Sequence, residues 1–196
     1  DCRVEDLILK GTKIKGVIDQ NGNKILGHSV ILATGHSARD IFHLLDRHKI
    51  HIESKSFALG VRIEHPQHII DAAQYHCNIR SKYLPAASYK FVQQVNGKGV
   101  FSFCMCPGGH IVPSATAPGE VVVNGMSAST RSSRYANSGM VVSVEPEDLK
   151  TYMQHGKLAG LIFQQDMEKM AWEAGGKTQA APAQRMVDFT NGKFSN

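Results

Sequence analysis

The sequence predicts an α/β chain of the α+β kind, with a small β-meander, a largely antiparallel β layer and one long helix. Three observations carry that expectation. Apolar and polar residues alternate in several short segments, two of them beside an Asn-Gly pair, Asn21-Gly22 and Asn96-Gly97. Alternation puts every second side chain on one face of a sheet, and Asn-Gly suits the tight turn that joins two such strands. An apolar run, Ser29-Val30-Ile31-Leu32, ends in Ala33-Thr34-Gly35, the pattern of a buried strand released into a glycine turn. Finally, Pro146-Glu147-Asp148 opens a stretch of apolar residues at helical spacing that reaches about residue 172.

The elements follow in order. Thr12 to Ile18 alternates as a strand, Asn21-Gly22 turns it, and Lys24 to Leu26 begins the return. After the Ala-Thr-Gly tip, Ser37 is placed to cap a helix with Asp40 three residues on, close to a capping box. Ile41, Leu44, Leu45 and Ile50 give that helix its apolar stripe. Ser56 to Glu64 reads as a strand with Phe57, Leu59, Val61 and Ile63 on one side and Arg62 on the other. Pro66 stops it and starts a short helical segment through Ile69, Ile70 and Ala73. Ser88 to Val95 and Val100 to Cys104 read as a hairpin, with His110 to Pro113 and Glu120 to Asn124 as further strands. The long helix over about 146–172 presents a face from Leu149, Tyr152, Met153, Gly156, Ala159, Gly160 and Phe163 to Met167 and Met170. His155-Gly156 is a point of bending, and Gly175-Gly176 ends the helix.

Composition narrows the function classes. The chain has 196 residues, 42% of them hydrophobic and 20% charged, with a net charge of +5, values ordinary for a globular protein. The basic residues are scattered. Their tightest concentration, Arg131 and Arg134, is too little for a nucleic-acid groove. No apolar run approaches the roughly 18 residues of a membrane span. Cys2, Cys77, Cys104 and Cys106 form no regular framework, so reduced thiols and a cytoplasmic setting are expected. The chain opens at Asp1 and ends at Asn196 without a terminal signature, and reads as an internal fragment of a longer protein.

The densest candidate for chemistry is Phe103-Cys104-Met105-Cys106-Pro107-Gly108-Gly109-His110. Cys-x-Cys with a nearby His begins a metal set, yet zinc asks for four ligands, so no metal is expected. A redox dithiol beside a cofactor is a second reading. A turn whose bare N–H groups face a ligand is a third, and a plain tight turn a fourth. His48 and His51, like His65 and His68, are three apart, but no His-Glu-x-x-His occurs. Gly97-x-Gly99 lies in a hairpin without a following helix, the wrong context for a nucleotide loop. No nucleophile elbow or P-loop is present. His36 and Ser37 stand at a helix start directly after an apolar strand, where N–H groups suit an anion.

Four strings together carry a resemblance: Val30 to Asp40, Ser56 to Gln67, Cys104 to His110 with the loop from Val112 to Met126, and Ala136-Asn137-Ser138-Gly139. The chain resembles the bacterial family of uncharacterised FAD-dependent dehydrogenases, often labelled NAD(FAD)-utilising dehydrogenases, which are two-dinucleotide-fold flavoproteins. The resemblance implies a longer protein whose Gly-x-Gly-x-x-Gly turn and Gly-rich C-terminal segment hold FAD, with NAD(P)H a candidate electron donor. It makes residues 1–40 a remnant of the FAD-binding domain and residues 41–196 an inserted substrate or cap domain. Thr34, Gly35, His36 and Ser37 are then the cofactor-side residues. Cys106, Gly108, Gly109, Arg62 and Arg131 are candidates to face flavin or substrate, the two arginines for an anionic group or for surface ion pairs. The expected partners are a small-molecule substrate and the flanking segments of the same polypeptide, not nucleic acid or membrane. The fragment alone is expected to be inactive and to bind FAD weakly. A non-catalytic binding or regulatory module on the same fold is the alternative, and an RNA-associated flavoprotein a third.

Overall fold

The computed structural model describes residues 2–195. The chain divides into two compact units, Asp1–Glu53 and Ser54–Asn196, and its mixture of helices with antiparallel sheets is α+β.

The first unit holds the meander. Strands β1 (Val4–Lys10), β2 (Lys13–Asp19) and β3 (Lys24–Leu26) form an antiparallel sheet in the order β1-β2-β3. Asp19 holds the turn between β2 and β3. Its Oδ1 accepts the N–H groups of Asn21 and Asn23 at 2.9 and 2.8 Å, and its Oδ2 accepts Asn23 Nδ2 at 3.0 Å. Those bonds, the Asn23 side chain first, keep the Asp19 carboxyl below its ordinary range. Helix α1 (Arg39–Arg47) buries Leu44 and half-buries Ile41 and Leu45; Ile50, also half-buried, lies beyond the helix end. Lys49 then enters the left-handed region at φ +54°. The N–H of Ile50 reaches Leu45 O at 3.0 Å and that of Lys49 reaches Asp46 O at 2.9 Å. This pair of bonds is the motif that closes a helix C-terminus.

Two expectations for this unit fail. Ser29 to Gly35 is neither a strand nor buried: Ile31 is 90% and Leu32 58% exposed. The sheet of the unit ends at β3, and no described strand runs beside the apolar run to pair its main chain, without which an extended segment gains no ladder. Nor does Ser37 cap α1. The N-cap is Ala38, with no side-chain bond, and the Ser37 carbonyl instead accepts the Arg39 N–H at 2.9 Å.

The second unit is built on a four-stranded antiparallel sheet. Its strands are β4 (Phe57–Pro66), β5 (Val92–Val95), β6 (Lys98–Cys106) and β9 (Tyr135–Val144), in the order β4-β9-β6-β5. A separate hairpin pairs β7 (Gly109–Pro113) with β8 (Val123–Ser127). The central strand β9 is absent from the sequence reading, and the strand expected over 120–124 lies three residues further on. Asn96 and Gly97 turn the β5–β6 hairpin with φ of +50° and +78°, the two positive values a two-residue primed turn demands. At the other end of β4, Pro66 caps helix α2 (Gln67–Tyr75).

The helical region is not one rod. A 3-10 segment, Pro146–Leu158, precedes α3 (Ala159–Ala174). Gly156 breaks the path at φ +55°, and Gly175 is the C-cap. Glu145 donates its N–H to Asp148 Oδ2 at 2.9 Å, which seats Pro146 at the first helical position. The apolar core gathers Val144, Leu149 and Ala159, with Phe57, Leu59, Tyr152 and Phe163 packed on it. Met153 and Met170, expected on the buried face, are exposed. Val61, in the middle of β4, is exposed too. A short helix, α4 (Met186–Thr190), follows.

Candidate functional site

The site grows from an irregularity in β6. Phe103 pairs with Gly139, and the next register partner is Cys106 with Asn137. Three steps along β6 therefore match two along β9, which is a β-bulge. Cys104 takes φ +46° there, a backbone cost for a residue with a side chain. The bulge turns the Cys104 carbonyl to Arg62 of β4, whose Nη1 donates to it at 3.2 Å. The same Nη1 donates to Asn137 Oδ1 at 2.6 Å.

Arg62 is half-buried, and among the described residues it has no carboxylate partner. Asn137 is 0% exposed, and its Nδ2 is buried without a partner among the described residues, a costly arrangement. Gly125 of β8 lies against this pair: a methyl group there would strike Asn137 Oδ1 and the Arg62 guanidinium. Glycine at 125 is thus what lets the guanidinium lie so close under β8.

Beside the bulge opens a cleft of about 640 Å³ lined by Tyr89, Phe91, Phe103, Cys104 and Met105 among others. Tyr89 and Phe91 stack with ring centroids 5.8 Å apart, and His65 lies against Tyr89 at 5.5 Å. Phe103 is 56% exposed. Burial pushes the Tyr89 hydroxyl up from its ordinary pKa, against smaller opposing effects from Ser138 and the charge of Arg62. Burial likewise pushes His65 down, against the pull of Glu64, so a neutral imidazole faces Tyr89 at pH 7.

The glycine turn is closed by protein. Pro107, Gly108 and Gly109 are buried. The Gly108 N–H donates to Gln67 Oε1 at 2.7 Å, and a methyl on Gly108 (φ +51°) would strike the Arg131 carbonyl. Ser127 Oγ donates to Pro107 O at 2.8 Å. The Gly108 N–H is spent on a side chain of the same unit, so of the readings open for this stretch the geometry matches the plain turn. Cys106 is half-buried, with its Sγ 3.4 Å from Cys104 O, and Cys104 is exposed; both thiols are free. Gln67 also donates Nε2 to Asp71 Oδ1 at 2.8 Å and to Ala87 O at 3.0 Å. Asp71 accepts the Ala87 N–H at 2.8 Å and Arg80 Nε at 2.8 Å. Burial alone would raise the Asp71 pKa; these donors outweigh it and hold the carboxyl below the usual range.

The sequence-derived candidates therefore fall into separate places. Arg62, Cys106, Gly108 and Gly109 belong to the second unit, at or next to the bulge. Arg131 is exposed at φ +47° and meets the turn through its backbone. Thr34, Gly35, His36 and Ser37 belong to the first unit, where all four are exposed. Gly35 has φ +76° with open space where a side chain would be. The left-handed backbone, not crowding, is what calls for glycine there. Asn137, Gly125, Tyr89 and Phe91 went unremarked as site residues. Asn137 lies 75 residues from Arg62 in sequence, and only the pairing of β4 with β9 joins them. Tyr89-x-Phe91 carried the one available signal, two aromatics on one side of an extended segment.

No group of three metal-binding side chains and no helix long and apolar enough to cross a membrane occurs among the described residues. A family model described as "FAD-dependent protein, C-terminal domain-like" matches residues 56–196. An uncharacterized protein of Clostridium beijerinckii is 40% identical over 197 residues, which take in 100% of this chain and 36% of that protein. The chain spans about a third of the length of that relative.

Proposed function

The chain belongs to the FAD-dependent protein, C-terminal domain-like family, and we propose that it is the middle, substrate-covering portion of a flavin-dependent oxidoreductase. The observation that carries the reading is the family match over residues 56–196, beside an open cleft walled by aromatic side chains. Such a cleft, aromatic with the charged Lys90 on its lining, suits a small polar substrate. Bound FAD supplies the two-electron chemistry in the longer polypeptide.

The residues of this chain bind and position. Thr34, Gly35, His36 and Ser37 give the cofactor an exposed stretch of main chain, as their exposure supports. Arg62 orients the charged end of the substrate. Tyr89, Phe91 and Phe103 line the walls and exclude water. Cys106, Gly108 and Gly109 brace the bulge from behind, and Arg131 supplies an exposed charge nearby. NADH or NADPH is the proposed electron donor.

The test uses the intact protein. It should purify with stoichiometric FAD, and the flavin absorbance should bleach anaerobically on addition of NADH or NADPH. Protein without flavin would overturn the assignment. Flavin that no reductant or substrate ever reduces would favour a non-catalytic binding module. Residues 1–196 expressed alone should carry flavin well below one equivalent.

A further inference from the structure

Resting on the flavin-dependent reading, we propose that the cleft between residues 88–92 and 102–105 is a subsite for the electron donor. It takes a flat ring that carries a carboxamide, with a phosphate close by: one nicotinamide mononucleotide unit.

The cleft exists because a sheet stops pairing. β5 and β6 hold their register as far as Val92 opposite Phe101. One rung further, the Ser102 N–H still donates to Phe91 O at 3.0 Å, but the Phe91 N–H goes to Ser102 Oγ at 3.0 Å instead of to a main-chain oxygen. Beyond that rung β6 bulges at Cys104, and no hydrogen bond joins the main chain of Ser88, Tyr89 or Lys90 to any described residue. Those three residues belong to one wall of the cleft, and Ser102 to Met105 form the other. An extended main chain presents N–H and C=O groups in alternation, each in want of a partner. A carboxamide both donates and accepts, so it answers one of each; a carboxylate only accepts.

The side chains set the rest. Counting the register on from Val92 and Phe101 places Lys90 opposite Phe103, and opposed residues share a sheet face. The Phe103 ring is exposed on that face, and so is Lys90. Gly139, the β9 partner of Phe103, puts no side chain beside the ring; a methyl there would come within 3.4 Å of Phe103 Cβ. That leaves one flat aromatic surface on which a planar ring can stack. Tyr89 and Phe91 leave the other side of the segment and stack on each other, which braces this wall. Lys90 makes no ion pair among the described residues, and none of the residues lining the cleft is acidic. A lysine ammonium is a compact charge that suits a phosphate. The volume of the cleft, about 640 Å³, is that of a small-molecule site.

Three probes are titrated calorimetrically into the intact protein: nicotinamide mononucleotide, nicotinamide riboside, which lacks the phosphate, and nicotinic acid mononucleotide, which has a carboxylate in place of the carboxamide. The mononucleotide should bind about fivefold more tightly than the riboside and about tenfold more tightly than the acid. Lys90→Gln should remove the first preference and keep the second. Phe103→Ala should weaken all three probes alike. Equal binding of mononucleotide and riboside to the wild-type protein would overturn the proposal. So would an acid that binds as well as the amide, no binding at about 10 mM, or a full phosphate preference in Lys90→Gln. Lys90 is exposed, so its replacement leaves the fold intact. Flavin absorbance of the same samples separates the two readings. Discrimination among the probes without flavin supports the subsite and removes the oxidoreductase; flavin without discrimination removes the subsite alone.

Discussion

Val30-Ile31-Leu32 and Met140-Val141-Val142 are both three consecutive aliphatic residues, yet they end in opposite states. The second triplet lies half-buried in β9, the strand paired on one side with β4 and on the other with β6. The first is exposed main chain without a ladder. Apolarity alone thus does not make a strand. The main chain needs neighbours for its N–H and C=O groups, and only one of the triplets has them among the described residues.

The largest expected effect sharpens that contrast from the paired side. A methyl at Gly60 of β4 would run into the Met140 carbonyl of β9. Gly60→Ala should therefore cost about 3 kcal/mol in urea unfolding, and an unchanged midpoint would mean that the β4–β9 register is wrong.

Next in size is the polar net around Asp71. Asp71→Asn replaces an acceptor for three donors with a group that itself donates, at about 2 kcal/mol. The pH dependence follows from the depressed carboxyl pKa. The stabilisation is present above the unfolded value of 3.8 and is lost as pH falls through the lower folded value. Acid unfolding should accordingly be steeper below about pH 4 in the wild-type chain than in Asp71→Asn. Parallel acid curves would show that the net contributes nothing through charge.

On the unpaired side the effects shrink. Gly35→Ala keeps the open space but forces a side chain into φ +76°, which should cost about 1 kcal/mol by thermal or urea unfolding. A loss like that of Gly60→Ala would point to crowding at the tip. Smallest is Ile31→Ser, expected within about 0.5 kcal/mol for a residue 90% exposed. If the same substitution in the longer polypeptide costs about 2 kcal/mol, flanking chain covers the run there. That outcome would erase the contrast between the triplets and strengthen the flavoprotein reading.

The same contrast explains what could be read from sequence. The meander, the Asn96-Gly97 hairpin, the helix start at Pro146 and the stop at Gly175 were legible because each is fixed by residues within a few positions. The strand β9 was hidden because Tyr135 to Val144 mixes small polar with apolar residues, and its two neighbours come from distant parts of the chain. The run at Ser29 to Gly35 misled for the converse reason, a strong local pattern without a partner. At the candidate site Arg62 was visible as a lone charge on the far side of a strand. Its bond to Asn137 and the space above Gly125 exist only once β4, β8 and β9 are assembled. The glycine turn at Gly108 was visible, but the side chain that closes it, Gln67, lies 41 residues away.

The extra residue in β6 has a consequence for how this segment tolerates insertion and deletion. Strict up-down alternation would send Phe103 and Cys106 to opposite faces; one added residue returns them to the same side. Deleting Cys104 or Met105 would therefore not merely shorten a strand. It would rotate everything downstream by half a turn, carrying Pro107 and Gly108 away from Gln67 and the β7–β8 hairpin off its seat. A frame of that kind locks chain length at one point while leaving the surface loops around it free to vary.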